Sequence, residues 1–177
     1  MEQRKPAWLK VKVQANQGKN EVEHLLHELA LPTVCQEARC PNLMECYSRK
    51  TATFLLLGQN CTRHCAFCNI GKGKPQPVAA DEPTRVAQAV ATLKLKHMVL
   101  TSVTRDDLPD GGAHHFAAVI AAVKSLNPET TVEVLIPDFQ GEAHSIAAVV
   151  AAEPDVINHN VETVPRLYPA VRPEADY

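Results

Sequence analysis

The chain has 177 residues, 45% hydrophobic and 21% charged, with a formal charge of −2, which suits one domain that buries about two thirds of its unfolded surface. That balance excludes the basic field of a nucleic-acid binder, and no apolar run approaches the roughly 20 residues of a membrane span. Residues 1–12 lack the apolar core of a signal peptide and the chain has no transit-type start, so a soluble protein of the bacterial cytoplasm is expected.

In chain order, Val22, Leu25, Leu26 and Leu29 mark a short helix that Asn20 and Glu23 are placed to cap. Residues 31–50 read as loop. Four segments then repeat one plan, a short β-branched or leucine-rich run leading through a loop to an amphipathic helix. The runs are 51–57 (TATFLLL), 97–103 (HMVLTSV), 131–136 (TVEVLI) and 155–160 (DVINHN), each short enough for a buried parallel strand. Val86, Ala89, Val90 and Leu93 keep helical spacing, as do Phe116, Val119, Ile120 and Val123. Pro83 opens the first of these helices, Asn127-Pro128 closes the second, and Glu153-Pro154 ends a third with Ile146, Val149 and Val150 on its apolar face. Repeated βα units predict a parallel α/β sheet or barrel.

All six cysteines fall into two triplets, Cys35, Cys40, Cys46 and Cys61, Cys65, Cys68. In a reducing compartment such clusters bind metal more often than they form disulfides. The second triplet, C-T-R-H-C-A-F-C, follows the first strand directly. Its spacing lets one short loop wrap an iron–sulfur cubane, and three thiolates for four irons leave one iron open to a chelating ligand. In parallel βα architectures the loops after the strands converge on one mouth. Here they carry the second triplet, then T-R-D-D-L-P-D-G-G with Gly111 and Gly112, then Pro137-Asp138, then His159, Asn160, Glu162 and Arg166. The glycine pair permits close backbone approach to a ligand, and the last set is of the kind that orients one.

The C-x3-C-x2-C loop with Phe67 before its last cysteine resembles the radical S-adenosylmethionine enzymes. The C-x4-C-x5-C spacing of C-Q-E-A-R-C-P-N-L-M-E-C, together with R-K-P-A-W-L-K at 4–10, T-S-V-T-R-D-D-L-P-D-G-G at 101–112 and N-H-N-V-E-T-V-P-R-L-Y-P-x-V-R-P from 158, narrows the likeness to lipoyl synthases. The resemblance implies a partial (β/α) barrel of the radical SAM type, about four of six βα units over 51–177, behind a cysteine-rich extension at 1–50. It implies catalytic and metal-holding roles for all six cysteines. Cys61, Cys65 and Cys68 would hold a [4Fe–4S] cluster whose open iron binds S-adenosylmethionine and yields a 5′-deoxyadenosyl radical. Cys35, Cys40 and Cys46 would hold an auxiliary [4Fe–4S] cluster that donates sulfur to C6 and C8 of an octanoyl-lysine. Phe67, Gly111, Gly112, Asn160 and Glu162 would contact S-adenosylmethionine or substrate.

The implied partners are octanoylated carrier domains of 2-oxoacid dehydrogenases and of glycine cleavage, a flavodoxin or ferredoxin electron donor and an iron–sulfur cluster donor, with no nucleic acid and no membrane. The family continues for about two more βα units and a C-terminal serine ligand, so the chain is expected to be a fragment, a truncated product or one part of a split enzyme. The competing readings are another sulfur-inserting radical enzyme, a non-catalytic iron–sulfur module, or a zinc site with His64 as fourth ligand. In isolation Gly111 and Gly112 are turn residues, and Asn160 and Glu162 cap a strand end. Arg39 and Arg63 sit inside the cysteine loops, where positive charge favours thiolate. His114 and His115 read as surface residues, and Trp8 as a packing anchor.

Overall fold

The computed structural model describes residues 17–49 and 51–177, together with Pro6; Trp8 and most of the 4–10 motif lie outside them. The four apolar runs pair in parallel as β1 (Thr53–Leu56), β4 (His97–Ser102), β5 (Thr131–Leu135) and β6 (Val156–Asn158), in that spatial order. Two short strands, β2 (Asn60–Cys61) and β3 (Gly71–Lys72), pair with each other between β1 and β4. Each sheet strand ends before its apolar run does, because the last residues turn into the loops that follow.

Parallel strands in sequential order, joined by the right-handed crossovers that such units adopt, place the connecting helices on one face, the arrangement of an open (β/α) barrel. The register sets Phe54 and Leu56 of β1 beside Leu100 and Ser102 of β4, and Met98 and Leu100 beside Val132 and Val134 of β5. Their apolar members are almost fully buried. Against them lie Val86, Ala89, Val90 and Leu93 of α4 (Glu82–Leu93) and Phe116, Val119, Ile120 and Val123 of α5 (Ala113–Leu126). Each larger side chain buried there contributes about 1.5–3 kcal/mol relative to exposure. The opposite face, with Val99, Thr101, Glu133 and Leu135, stays half-buried.

Three local expectations need correction. The first helix, α1 (Gln17–Glu28), already contains Asn20, and Glu23 pairs with Lys19 at 2.6 Å instead of capping. Residues 31–50 are not plain loop. They form α2 (Val34–Glu37) and α3 (Leu43–Ser48), and Thr33 caps α2 while bridging antiparallel to Phe54. Single helical turns carry no periodicity for a sequence pattern to detect. In α6 (Ala143–Ala151) only Ser145 and Val149 face inward, leaving Ile146 and Val150 exposed. On the edge strand Val156 and Ile157 are exposed as well. Among the described residues no helix is long and apolar enough to cross a membrane.

Candidate metal centre

Cys61 ends β2, and Cys65 and Cys68 lie in the turn that follows, where the Cys68 N–H donates to the Cys65 carbonyl at 3.3 Å. Two backbone N–H groups aim at the Cys61 Sγ, from Arg63 at 3.4 Å and from Thr104 at 3.3 Å. Burial pushes the Cys65 thiol up, and the Arg172 cation opposes that push while Cys61 and Cys68 add to it. The three thiols therefore sit within electrostatic reach of one another.

The first triplet gathers in the same way. Cys35 is buried on α2, Cys46 is on α3, and the Cys40 N–H between them donates to the Cys35 carbonyl at 3.0 Å. Burial pushes the Cys35 thiol up, the Thr53 backbone opposes it, and Cys40 and Cys46 raise it further. All six cysteines are free thiols. No three His, Cys, Asp or Glu groups among the described residues converge on a single-ion position. A donor set of three thiolates from one short loop suits a cuboidal cluster, whose sulfur ligands stand wider apart than those of one tetrahedral ion. His64 is exposed and turns to Glu174 at 3.2 Å, away from any role as a fourth ligand.

The sequence shows no sign that the two triplets adjoin. Glu37 of α2 joins them, accepting from Gln59 Nε2 at 2.8 Å through its carboxylate and from Asn69 Nδ2 at 3.2 Å through its carbonyl. Those partners flank the second triplet on either side.

Arg63 has a different role from the one its position suggests. Its side chain is 3% exposed and forks onto two carboxylates, Asp106 at 2.7 and 2.9 Å and Asp138 at 2.5 and 2.7 Å. It thereby ties the loops after β1, β4 and β5 together with four charge-assisted hydrogen bonds. Burial would lower the Arg63 pKa, but the two aspartates outweigh that and hold the guanidinium charged. The cation beside a cysteine thiol is instead Arg172, anchored by the Asn160 carbonyl at 2.8 Å. Arg39 is exposed with φ +51°. A cavity of about 570 Å3 opens beside the Arg63 network, lined by Asp138, Gln140, Gly141, Glu174 and Tyr177, within the size range of small-molecule sites.

The remaining candidates divide. Gly111 and Gly112 adopt φ +60° and +91° at the start of α5, and their close approach is to protein side chains. A Cβ on Gly111 would stand 2.9 Å from Phe139, and one on Gly112 2.3 Å from Leu57 Cδ1. Phe67 is 53% exposed. Asn160 and Glu162 are exposed too, Glu162 with φ +64°. Arg166 is exposed, and His159 Nδ1 lies 2.9 Å from the Ile136 carbonyl. His114 faces solvent as expected, but the His115 side chain is 10% exposed and bonds the buried Glu82 at 2.6 Å. Nothing in a lone i+1 histidine signals this, because its partner lies 33 residues away.

A Radical SAM superfamily model matches residues 55–177. The chain belongs to the radical SAM superfamily. A radical SAM domain implies a [4Fe–4S] cluster and S-adenosylmethionine. Among curated proteins, the chain is 61% identical over its whole length to a lipoyl synthase of Caldicellulosiruptor saccharolyticus, covering 62% of that protein. It is 59% identical to one of Oleidesulfovibrio alaskensis over 97% of this chain and 59% of the relative. A third, from Chloroflexus aurantiacus, is 56% identical over 98% of this chain and 57% of the relative. The radical SAM chain described here thus spans about three fifths of the length of the curated relatives it matches.

Proposed function

We propose that this chain is the cluster-bearing part of a lipoyl synthase, an enzyme that inserts sulfur at C6 and C8 of an octanoyl chain carried on a lysine. The observation that carries the reading is the pair of cysteine triplets on adjoining loops, bridged by Glu37, in a chain 61% identical to a lipoyl synthase. In this reading residues 1–50 form the extension that holds an auxiliary [4Fe–4S] cluster through Cys35, Cys40 and Cys46. Residues 51–177 form the barrel part, with a [4Fe–4S] cluster on Cys61, Cys65 and Cys68.

When bound, these groups and S-adenosylmethionine supply the radical and the sulfur that unactivated C–H bonds require, chemistry beyond any acid–base side chain. The chain's own residues prepare the place. The Arg63 and Thr104 N–H groups point at the Cys61 sulfur, and the Arg172 cation opposes the upward push of burial on the Cys65 thiol. Arg63 locks three loops beside the cavity in which S-adenosylmethionine would bind, and in this reading Phe67, Gly111, Gly112, Asn160 and Glu162 contact it or the substrate. Octanoylated carrier domains of 2-oxoacid dehydrogenases and of glycine cleavage are the substrates. A flavodoxin or ferredoxin donates electrons, an iron–sulfur donor loads the clusters, and the reducing cytoplasm keeps the thiols free.

The test is anaerobic reconstitution followed by incubation with reductant, S-adenosylmethionine and an octanoyl-lysyl carrier peptide. About eight irons per chain are expected, falling to about four in Cys61→Ala and in Cys35→Ala. Cys61→Ala abolishes 5′-deoxyadenosine formation, whereas Cys35→Ala spares it and abolishes the peptide's gain of sulfur. Deoxyadenosine formed by a chain lacking the second triplet refutes the assignment.

A further inference from the structure

Leu57 stands at the neck of the cysteine loop in a backbone conformation that a branched side chain rarely adopts, φ +68°, followed by Gly58 at φ +98°. Both of its backbone polar groups are taken by buried charged side chains. Its N–H donates to Glu82 Oε2 at 3.1 Å, and its carbonyl accepts from Arg105 at 3.1 Å. Arg105 is itself forked onto Asp107 at 2.8 and 2.9 Å. The same Glu82 oxygen meets His115 Nε2 at 2.6 Å. The side chains of Glu82, His115 and Arg105 are 5%, 10% and 4% exposed. On the remaining side, the Leu57 side chain fills the space above Gly112 that a Cβ would need.

Glu82 begins α4, the first helix after the cysteine loop, so its bond to Leu57 closes the loop at its base. His115 and Gly112 belong to the first turn of α5, and Arg105 to the loop after β4. One residue is therefore gripped by three elements, four positions ahead of Cys61. None of these side chains lines the cavity beside Arg63, although Glu82 borders a second one beneath α1, and ordinary core packing does not account for a buried carboxylate, imidazole and guanidinium here.

We infer that Glu82, His115 and Arg105 are positioning residues: they hold the Leu57 turn, and through it fix the second cysteine triplet relative to the glycine pair that opens α5. The inference rests on the cluster reading proposed above for its purpose, though not for its geometry. Glu82 accepts both of its hydrogen bonds on one oxygen, so the neutral amide oxygen introduced by Glu82→Gln can keep them. An alanine strands the Leu57 N–H and the His115 ring.

The test compares wild type, Glu82→Ala and Glu82→Gln by hydrogen exchange on the reduced, iron-free chain. Segments 57–80 and 103–115 exchange about tenfold faster or more in Glu82→Ala, while α6 stays within about twofold and Glu82→Gln within about threefold throughout. On the reconstituted chain, Glu82→Ala retains its iron but blunts the change that S-adenosylmethionine produces in the electron paramagnetic resonance spectrum of the reduced cluster, and Glu82→Gln restores it. Unchanged exchange in Glu82→Ala overturns the inference, as does acceleration of equal size in α6, which marks global loosening. If Glu82→Ala does not fold, His115→Asn removes only the outer bond and raises exchange of the same segments about threefold; no rise overturns the assignment. A wild-type chain that loads no iron refutes the cluster reading, while exchange on the iron-free chain still decides whether the neck is clamped.

Discussion

Replacing Arg63 by methionine removes the one cation that satisfies both Asp106 and Asp138 and leaves a side chain of similar length. Removing one partner of a buried ion pair costs about 3–5 kcal/mol, because the remaining charge is stranded away from water. Asp106 and Asp138 keep a rim to solvent, 23% and 15% exposed, and Arg172 stands 3.9 Å from Asp138. The lower end, about 3 kcal/mol, is therefore expected. With a urea slope of about 2 kcal/mol per molar, the unfolding midpoint of the iron-free chain falls by roughly 1.5 M at pH 7.

The deficit also depends on pH with a defined sign. Burial opposes ionisation of Asp138, but the hydrogen bonds from Arg63 and the Gln140 N–H and the charges of Arg63 and Arg172 outweigh it and hold the carboxyl below the usual range. A depressed folded pKa contributes stability that is present above the unfolded value of about 3.9 and is lost as pH falls through the folded value. The gap between wild type and Arg63→Met is thus full at pH 7 and shrinks below about pH 4. Adding Asp138→Asn to Arg63→Met relieves the stranded carboxylate and recovers part of the loss, a coupling that a double-mutant cycle reads directly. A variant within 1 kcal/mol of wild type, or a deficit that does not shrink in acid, refutes the reasoning.

Three further outcomes are expected. Gly112→Ala combines φ +91° with a Cβ 2.3 Å from Leu57 Cδ1 and lowers stability by about 2–4 kcal/mol, a drop in Tm of roughly 4–16 °C by calorimetry. Gly141→Ala, at φ +74° with open space around it, costs only about 1–2 kcal/mol, so equal losses at the two sites count against close packing as the reason for Gly112. Burial, against the lowering effect of its bond to Thr33, pushes the Tyr47 hydroxyl up to about 12. A raised folded pKa gives stability that is complete below the unfolded value near 10 and lost as pH rises through 12, roughly 2–3 kcal/mol in all. Tyr47→Phe removes that alkaline loss in urea titrations between pH 9 and 12, and a persisting loss assigns it elsewhere.

What the sequence by itself determined is whatever depends on near neighbours along the chain. The cysteine spacings state which loop can wrap a cluster, the four apolar runs state where strands form, and the i, i+3, i+4 pattern of α4 and α5 states which faces they bury. Even there, the short helices α2 and α3 leave no mark in the pattern, because four to six residues hold too little of a period. Choices of partner at long range were left to the tertiary structure. Arg63 looked like a cation for its own cysteines, yet it binds aspartates 43 and 75 residues away, and Arg172 takes the place beside Cys65. Ile146, Val149 and Val150 match the apolar pattern of a buried face, but the rotation of α6 against α5 puts only Val149 of the three inside. Leu57 read as the end of a strand, while its left-handed turn exists only because Glu82 and Arg105 meet it there. The physical reason is the same each time. Backbone periodicity is a local property of covalent geometry, whereas the partner of a buried charge is settled only when the folded chain brings the competing groups together.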